Sequence, residues 1–277
     1  MGAAPNVRLK LSNRAENVLI VRQALSGLAE TVGLDAVALN DVSTAVTEAA
    51  NNVVLHAYEG DEGSLEVELS LTSTGLDVLV ADRGCGIPVA VLRGETISDG
   101  IGLPVIQALS DSVEFRDRPT GGTEVAMHFD LTQARPLNGG ERLDSGLEGT
   151  EADRPEAVAL AVAPEAVARN VVPRVLSTLA ARAYFTTDRI SDAQLLADTI
   201  VAELDRASNG RLSVGVNVAP RALELRIGPL ASGRAGELLA GAQEGALGSV
   251  LDRLTDGHEV SESGELELLS LRMAQRE

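Results

Sequence analysis

The chain has 277 residues, 44% of them apolar and only 2% aromatic, so it can build packed cores from aliphatic side chains and is not a disordered chain. Its 41 acidic and 23 basic residues give a net charge of −18, which argues against direct binding to nucleic acid or to an anionic membrane. The single cysteine excludes an internal disulfide and a multi-cysteine zinc site.

The first half of the chain alternates between strand and helix patterns. Val7, Leu9 and Leu11 alternate with polar residues and predict a strand. Helical spacing of apolar residues then covers 14–31 and 36–56. The remaining predicted elements are strands over 64–72 and 76–82 that turn near Gly75, a helix over 101–110, and strands over 113–115 and 124–131. This order predicts an α/β (α+β) unit in which helices lie on a mixed, mostly antiparallel sheet.

The pattern stops between residues 132 and 156. This stretch has almost no large apolar side chain and is rich in Gly, Glu and Asp. Such a segment cannot bury enough surface to offset the entropy of ordering it, so we interpret it as a linker. The sequence therefore predicts a first domain over 1–131, a linker over 132–156 and a second domain over 157–277.

The second domain repeats the pattern of the first at low identity. At an offset of 151 residues, 25–29 (LSGLA) aligns with 176–180 (LSTLA), and Asp41 aligns with Asp192. Later segments align after short deletions, among them 109–111 (LSD) with 254–256 (LTD). Unrelated α/β segments could produce part of this match. The agreement in element order favours tandem, divergent copies of one two-layer sandwich.

The first polar cluster lies on the second predicted helix. Glu48 and Asn52 are four residues apart and share one helix face, beside small and apolar residues. An amide oxygen suits Mg²⁺, and a carboxylate could accept a proton from an attacking hydroxyl group or water. An ordinary helix surface is the alternative interpretation of this pair.

The second cluster follows a predicted strand. Asp82 is followed by Gly84 and Gly86, which place a carboxylate beside backbone that a flat ring can approach closely. Asp82 could accept a hydrogen bond from an exocyclic amine such as that of adenine. A tight turn that begins with an aspartate is the alternative.

The third cluster opens a helix. Gly100 and Gly102 leave backbone N–H groups free for a phosphate at the helix start. The third glycine of a dinucleotide fingerprint is missing, and the cluster contains no Gly-Lys-Ser/Thr of a Walker loop.

The order and spacing of these clusters resemble the GHKL ATPase superfamily, which includes gyrase, histidine kinases and MutL. The resemblance covers roughly residues 7–131, including the Gly-Gly-Thr at 121–123. The run TEAANNVVLHAYEGD, residues 47–61, is most similar to the anti-sigma factor serine kinases. No phospho-accepting histidine helix precedes the site, which argues against a histidine kinase.

The resemblance implies ATP and Mg²⁺ as cofactors and assigns a role to each site residue. Glu48 would be the general base, Asn52 the Mg²⁺ ligand and Asp82 the adenine anchor. Gly84 and Gly86 would shape the adenine pocket, and Gly100 and Gly102 would hold phosphate. Thr123 would support the adenine contact.

The segment over the predicted nucleotide is short. Ten residues, 89–98, form it, and they contain Arg93 but no lysine. Two functions therefore stay open. One is a protein serine/threonine kinase that transfers the γ-phosphate of ATP, with an anti-sigma antagonist as substrate and a sigma factor as a further target. The other is a non-catalytic module whose bound nucleotide switches partner binding.

The second domain has lost the site residues in this alignment. Thr199 stands opposite Glu48, Glu203 opposite Asn52, Pro229 opposite Asp82 and Leu247 opposite Gly102. We expect this copy to keep the fold without binding ATP in the same way. It could act as a built-in partner in an intramolecular pseudo-dimer, with a homodimer or two independent domains as the alternatives.

The chain also carries no recognisable targeting segment. Its first residues lack a basic stretch followed by an apolar one, and no apolar run approaches the roughly 20 residues that span a bilayer. We therefore expect a soluble cytoplasmic protein.

Overall fold

The computed structural model describes residues 5–85, 102–119, 121–131, 157–204, 212–240, 251, 253–264 and 266–276. It divides the chain into two compact units, Met1–Gly139 and Gly140–Glu277. The predicted linker over 132–156 contains this boundary but lies outside the described residues.

The first unit is a five-stranded sheet with helices packed against it. Its elements are β1 (Val7–Ser12), α1 (Ala15–Val32), α2 (Ala36–His56), β2 (Ser64–Leu71), β3 (Gly75–Asp82), α3 (Gly102–Leu109), β4 (Ser112–Asp117) and β5 (Thr123–Asp130). The strand order is β4-β5-β3-β2-β1, and each of these neighbours pairs antiparallel. Each strand and helix predicted over residues 7–131 is present, with ends shifted by a few residues at most.

The elements of the second unit follow the order of the first for all five strands and the two long helices. They are β6 (Ala157–Val162), α4 (Glu165–Arg182), α5 (Thr187–Leu204), β7 (Leu212–Ala219), β8 (Ala222–Ala231), α6 (Arg234–Ala240), β9 (Gly257–Ser263) and β10 (Leu266–Ala274). The strand order is β6-β7-β8-β10-β9, again with antiparallel neighbours. Read from β9 to β6, this is the strand order of the first unit, so the predicted tandem two-layer α/β repeats are confirmed.

Alternation of buried and part-exposed residues explains the two layers. In β1 and β2, alternate side chains are almost completely buried, and the aliphatic faces of α1 and α2 pack against the same sheet. The buried strand residues are Val7, Leu9, Leu11, Leu65, Val67 and Leu69. No helix within the described ranges is long and apolar enough to cross a bilayer.

The first helix of each unit ends in the same way. Gly33 follows α1 with φ of 69°, and Tyr184 follows α4 two residues after its last residue with φ of 59°. The next residue in each unit donates its N–H to a carbonyl five residues back, Leu34 to Ala29 and Phe185 to Ala180. This is the hydrogen bond of a helix cap with a left-handed residue. It is present in both units, although Tyr184 takes the place of the glycine in the second.

A second local structure also recurs. Ser110 and Thr255 each donate a hydroxyl hydrogen bond to the carbonyl four residues back. The aspartates that follow, Asp111 and Asp256, each accept the N–H of a residue near the end of the last strand, at 2.7 Å in both units. These segments are the ones that the sequence alignment pairs.

A buried arginine ties the second unit together. Arg189, on α5, is 3% exposed and donates from Nε to the carbonyl of Ala274 at 2.9 Å. Its guanidinium also bonds Asp192 at 3.1 Å and Asp256 at 2.5 Å. It therefore joins α5 to the end of β10 and to the segment before β9.

We expect Arg189→Ala to lower the free energy of unfolding by about 1–3 kcal/mol, because it leaves the carbonyl of Ala274 and the part-buried Asp256 without a buried donor. The control is Arg169→Ala, which removes a half-exposed partner of Glu165 on α4 and should cost less than about 1 kcal/mol. Urea unfolding followed by circular dichroism measures both. Equal losses in the two variants would show that the Arg189 network does not stabilise the fold.

Candidate functional site

Helix α2 carries the first pair of predicted site residues. Asp35 caps its start by accepting the N–H groups of Val37 and Ala38. The core face of the helix is buried at Val42, Ala45, Val46, Ala49, Ala50 and Val53. Glu48 and Asn52 are only part-buried and lie beside this face, so the packing of α2 fixes where their polar ends point.

The start of α3 lies against this pair. A β-carbon at position 102 would be 3.2 Å from Oε2 of Glu48 and 3.3 Å from Oδ1 of Asn52. Gly102 is buried and is the first residue of α3. The structure therefore brings Glu48, Asn52 and Gly102 together, and a side chain at 102 would crowd both polar groups.

Asp82 ends β3 on the face that packs against the helices. Its side chain is almost completely buried at 4% exposure, and Oδ1 accepts the N–H of Gly84 at 2.7 Å. Thr123, on the neighbouring strand β5, is 3% exposed, and its backbone N–H also bonds the Asp82 carboxylate. The structure thus places Asp82 and Thr123 side by side.

Burial raises the pKa of Asp82 above the ordinary value of an aspartate. The N–H groups of Gly84 and Thr123, and then the charge of Arg118, lower it in part without cancelling the effect of burial. The hydrogen bonds and the nearby charge therefore do not fully replace the water that the buried carboxylate has lost. A further hydrogen-bond donor would stabilise its charged form.

Two glycines allow the loops around Asp82 to approach closely. A β-carbon at Gly84 would lie 1.9 Å from the carbonyl oxygen of Ala57, which caps the end of α2. A β-carbon at Gly122, whose φ is 96°, would lie 2.2 Å from the carbonyl oxygen of Asp82. Both contacts would be impossible for any other residue without moving backbone.

Two groups near Asp82 were not singled out from the sequence. Arg118 donates to the carbonyl of Asp82 at 3.2 Å and pairs with Glu66 and Glu124 at 3.3 Å each. The hydroxyl of Tyr58 accepts the N–H of Arg83 at 2.9 Å. Tyr58 lies in the run TEAANNVVLHAYEGD, but no spacing rule links it to a residue 25 positions later.

Two exposed residues lie next to the site. His56 is exposed at the end of α2, and its carbonyl accepts a 3.5 Å contact from Sγ of the exposed Cys85. Gly86, Gly100, Arg93 and the segment 89–98 lie outside the described residues. Within the described part of the chain, no group of three or more His, Cys, Asp or Glu side chains could hold a metal ion.

The comparisons with known proteins match the first unit. The family model of the histidine kinase-like ATPase domain matches residues 11–129. The serine-protein kinase RsbW of Bacillus cereus is 30% identical over 120 residues, which are 39% of this chain and 75% of that protein. The chain belongs to the histidine kinase-like ATPase family. The predicted GHKL resemblance is therefore confirmed, for the first unit.

Further relatives of this ATPase domain have similar names. The anti-sigma F factor of Clostridium kluyveri is 26% identical over 130 residues, 44% of this chain and 92% of that protein. The RsbW kinase of Bacillus mycoides is 28% identical over 120 residues, 39% of this chain and 75% of that protein. Among solved structures, crystal form III of TP0453 aligns at a TM-score of 0.34 with 9% identity, which is too weak to bear on the fold.

In the second unit of the chain, other residues occupy the positions that align with the predicted site residues. Thr199, which aligns with Glu48, donates its hydroxyl to the carbonyl of Leu195 at 2.6 Å within α5. Pro229, which aligns with Asp82, is exposed and lies beside an irregularity in the pairing of β8 with β10. The side chain of Glu203 and residue Leu247 lie outside the described residues.

Glu267 stands opposite Thr123 when the last strand of each unit is counted back from matching pairs. These pairs are Gly75 with Asp130 in the first unit and Ala222 with Ala274 in the second. A register shift between Glu267 and Leu269 then pairs Glu267 with Leu230 and not with Pro229. The Glu267 side chain is buried, and its two oxygens accept the N–H groups of Gly233 and Ala235. An internal carboxylate therefore takes the place of the small hydroxyl residue.

We expect the heat stability of the wild type to fall relative to that of Asp82→Asn as pH rises through the pKa of Asp82. Because burial raises this pKa, the charged form of Asp82 is disfavoured in the fold, whereas the amide stays neutral at every pH. Below this range the wild type should regain stability relative to the variant. Calorimetric melting at a series of pH values measures the difference, and a difference that does not change with pH would contradict the expectation.

Proposed function

We propose that the first unit binds ATP with Mg²⁺ and that the chain is a regulatory protein serine/threonine kinase of the cytoplasm. Its substrate would be an anti-sigma antagonist protein, and a sigma factor would be a further target. The names of the relatives support this choice, since they include serine-protein kinases and an anti-sigma factor. The net charge of −18 supports a protein partner over direct contact with nucleic acid.

The observation that carries the proposal is the meeting of Glu48, Asn52 and Gly102. A general base, an amide oxygen for a hard cation and a helix start without a side chain are the groups that a kinase needs around the phosphates. Asp82 would hold the adenine amine, with Thr123 beside it. Gly84 and Gly86 would line the ring, and Gly100 would join Gly102 at the phosphates.

In this proposal, the side chains of the chain accept a proton and hold the cation in position. Glu48 would accept the proton of the substrate serine as its oxygen bonds to the γ-phosphorus and the bond to ADP breaks. When bound, Mg²⁺ supplies positive charge that neutralises the phosphate oxygens. Asn52 would fix the cation from α2, one helical turn beyond Glu48.

A non-catalytic module is the second candidate. The segment over the nucleotide has only ten residues, 89–98, and no lysine to stabilise the transferred phosphoryl group. In this version ATP would bind through the same residues, and its presence would switch the affinity for the partner protein.

We also propose that only the first unit binds nucleotide. Pro229 in place of Asp82 supports this, because the side chain of proline has no acceptor for an adenine amine. The second unit would then serve as a fused partner in a pseudo-dimer. Light scattering that showed an obligate homodimer of the full chain would count against that role.

Titration calorimetry with Mg²⁺ and ATP tests the pocket. The wild type should bind one ATP per chain with micromolar to sub-millimolar affinity, and Asp82→Asn should lose that binding because its amide nitrogen cannot accept a hydrogen bond. Two sites per chain would refute the loss of function in the second unit. No binding would refute both candidate functions.

Glu48→Gln separates the kinase from the switch. It keeps the size of the side chain and removes the base, so ATP binding should persist while transfer of labelled phosphate to serine in a purified antagonist protein falls by at least about 100-fold. Transfer that is unchanged in the variant would remove Glu48 as the base. No transfer in the wild type, with ATP-dependent partner binding, would favour the non-catalytic module.

A further inference from the structure

The hydroxyl group of Tyr58, just beyond the end of α2, makes three hydrogen bonds to backbone groups. It accepts the N–H of Arg83 at 2.9 Å and the N–H of Ser64 at 2.9 Å, and it donates to the carbonyl of Ser64 at 2.7 Å. A phenol has one proton and can accept two hydrogen bonds, so this group is fully used. One side chain thus bonds the start of β2 and the residue after β3.

These hydrogen bonds take the place of one backbone pair between β2 and β3. Strands β2 and β3 pair antiparallel up to Leu65 opposite Asp82, and the next pair in this register would be Ser64 opposite Arg83. The Tyr58 hydroxyl bonds the backbone groups of both residues instead. It therefore ends the β2–β3 ladder directly after Asp82.

Beyond this point the chain turns towards the end of α2. The Gly84 N–H donates to Oδ1 of Asp82 at 2.7 Å, and the Cys85 N–H donates to the carbonyl of Ala57 at 2.8 Å. A β-carbon at Gly84 would touch that same carbonyl. The orientation of the Asp82 carboxylate therefore depends on the path of residues 83–85.

The Tyr58 ring is held in place by packing. A β-carbon at Gly63 would lie 2.0–2.3 Å from three carbon atoms of the ring, so the ring occupies the space that this glycine leaves. The ring packs against the short segment between α2 and β2, and its hydroxyl reaches the sheet from a fixed position.

We propose that Tyr58 is a positioning residue for base recognition in the first unit. By ending the ladder after Asp82, it directs residues 83–85 onto α2 and orients the carboxylate that distinguishes adenine from guanine. This inference rests on the proposed role of Asp82 as the adenine anchor. It adds that base selectivity is set by a residue that does not touch the base.

Removal of the hydroxyl should allow the strands to pair further. In Tyr58→Phe, the backbone groups of Ser64 and Arg83 lose their shared partner and can bond each other. That extends β3 by a residue and moves the Gly84 N–H away from Asp82. The affinity for ATP should fall about tenfold, the scale of one good hydrogen bond, and the preference for ATP over GTP should shrink by a similar factor.

The experiment is titration calorimetry of the full chain with Mg²⁺–ATP and Mg²⁺–GTP. Tyr184→Phe is the matched control, because Tyr184 is the other tyrosine of the chain and is 77% exposed in the second unit. Asn6→Ala is the control for lost stability, since it removes a 2.7 Å bond to the Leu71 N–H at the far end of the same sheet. Both controls should keep the wild-type ratio of ATP to GTP affinity.

Gly63→Ala gives a second route to the same effect, because its methyl group must displace the Tyr58 ring. It should also reduce the preference for ATP over GTP. If circular dichroism shows that Tyr58→Phe is unfolded, Gly63→Ala is used in its place. A wild-type ratio in Tyr58→Phe, or in Gly63→Ala, would overturn the inference, as would an equal loss in Asn6→Ala. If the wild type binds no ATP, the proposed function fails first and the inference fails with it.

Discussion

The candidate site depends on the close approach of the chain after β3 to the carboxyl end of α2. At Gly84 the two backbones leave no room for a side chain, and the Cys85 N–H bonds the carbonyl of Ala57. Since α2 also carries Glu48 and Asn52, this one contact helps to set their position relative to Asp82. A shift of α2 along its axis would therefore disturb the turn after β3 as well as Glu48 and Asn52.

The sequence predicted the secondary structure well because the core is aliphatic and strongly periodic. Alternation in β1 and β2, and the long apolar faces of α1 and α2, are local signals that no tertiary contact overrides. The site clusters were visible for the same reason, since Asp82 ends a strand and Gly102 starts a helix. What the sequence could not predict are contacts between distant segments, such as the Tyr58 hydroxyl between Ser64 and Arg83, because no spacing encodes them.

The two units show which features survive divergence. The helix cap, the Ser/Thr bond to the preceding turn and the aspartate that holds the last strand are kept, because each satisfies backbone groups of the fold itself. The cap persists even with Tyr184 in a left-handed conformation that costs about 1–2 kcal/mol relative to glycine. By contrast, the positions that align with Glu48 and Asp82 hold Thr199 and Pro229 in the second unit.

Glu267 has a thermodynamic consequence for a chain with two such units. Its carboxylate accepts the N–H groups of Gly233 and Ala235, so this buried group is hydrogen-bonded without a ligand. If ATP binds only to the first unit, linkage stabilises that unit in proportion to the logarithm of the nucleotide concentration and leaves the other unchanged. One polypeptide would then contain a domain that responds to the energy state of the cell and a sister domain that is indifferent to it.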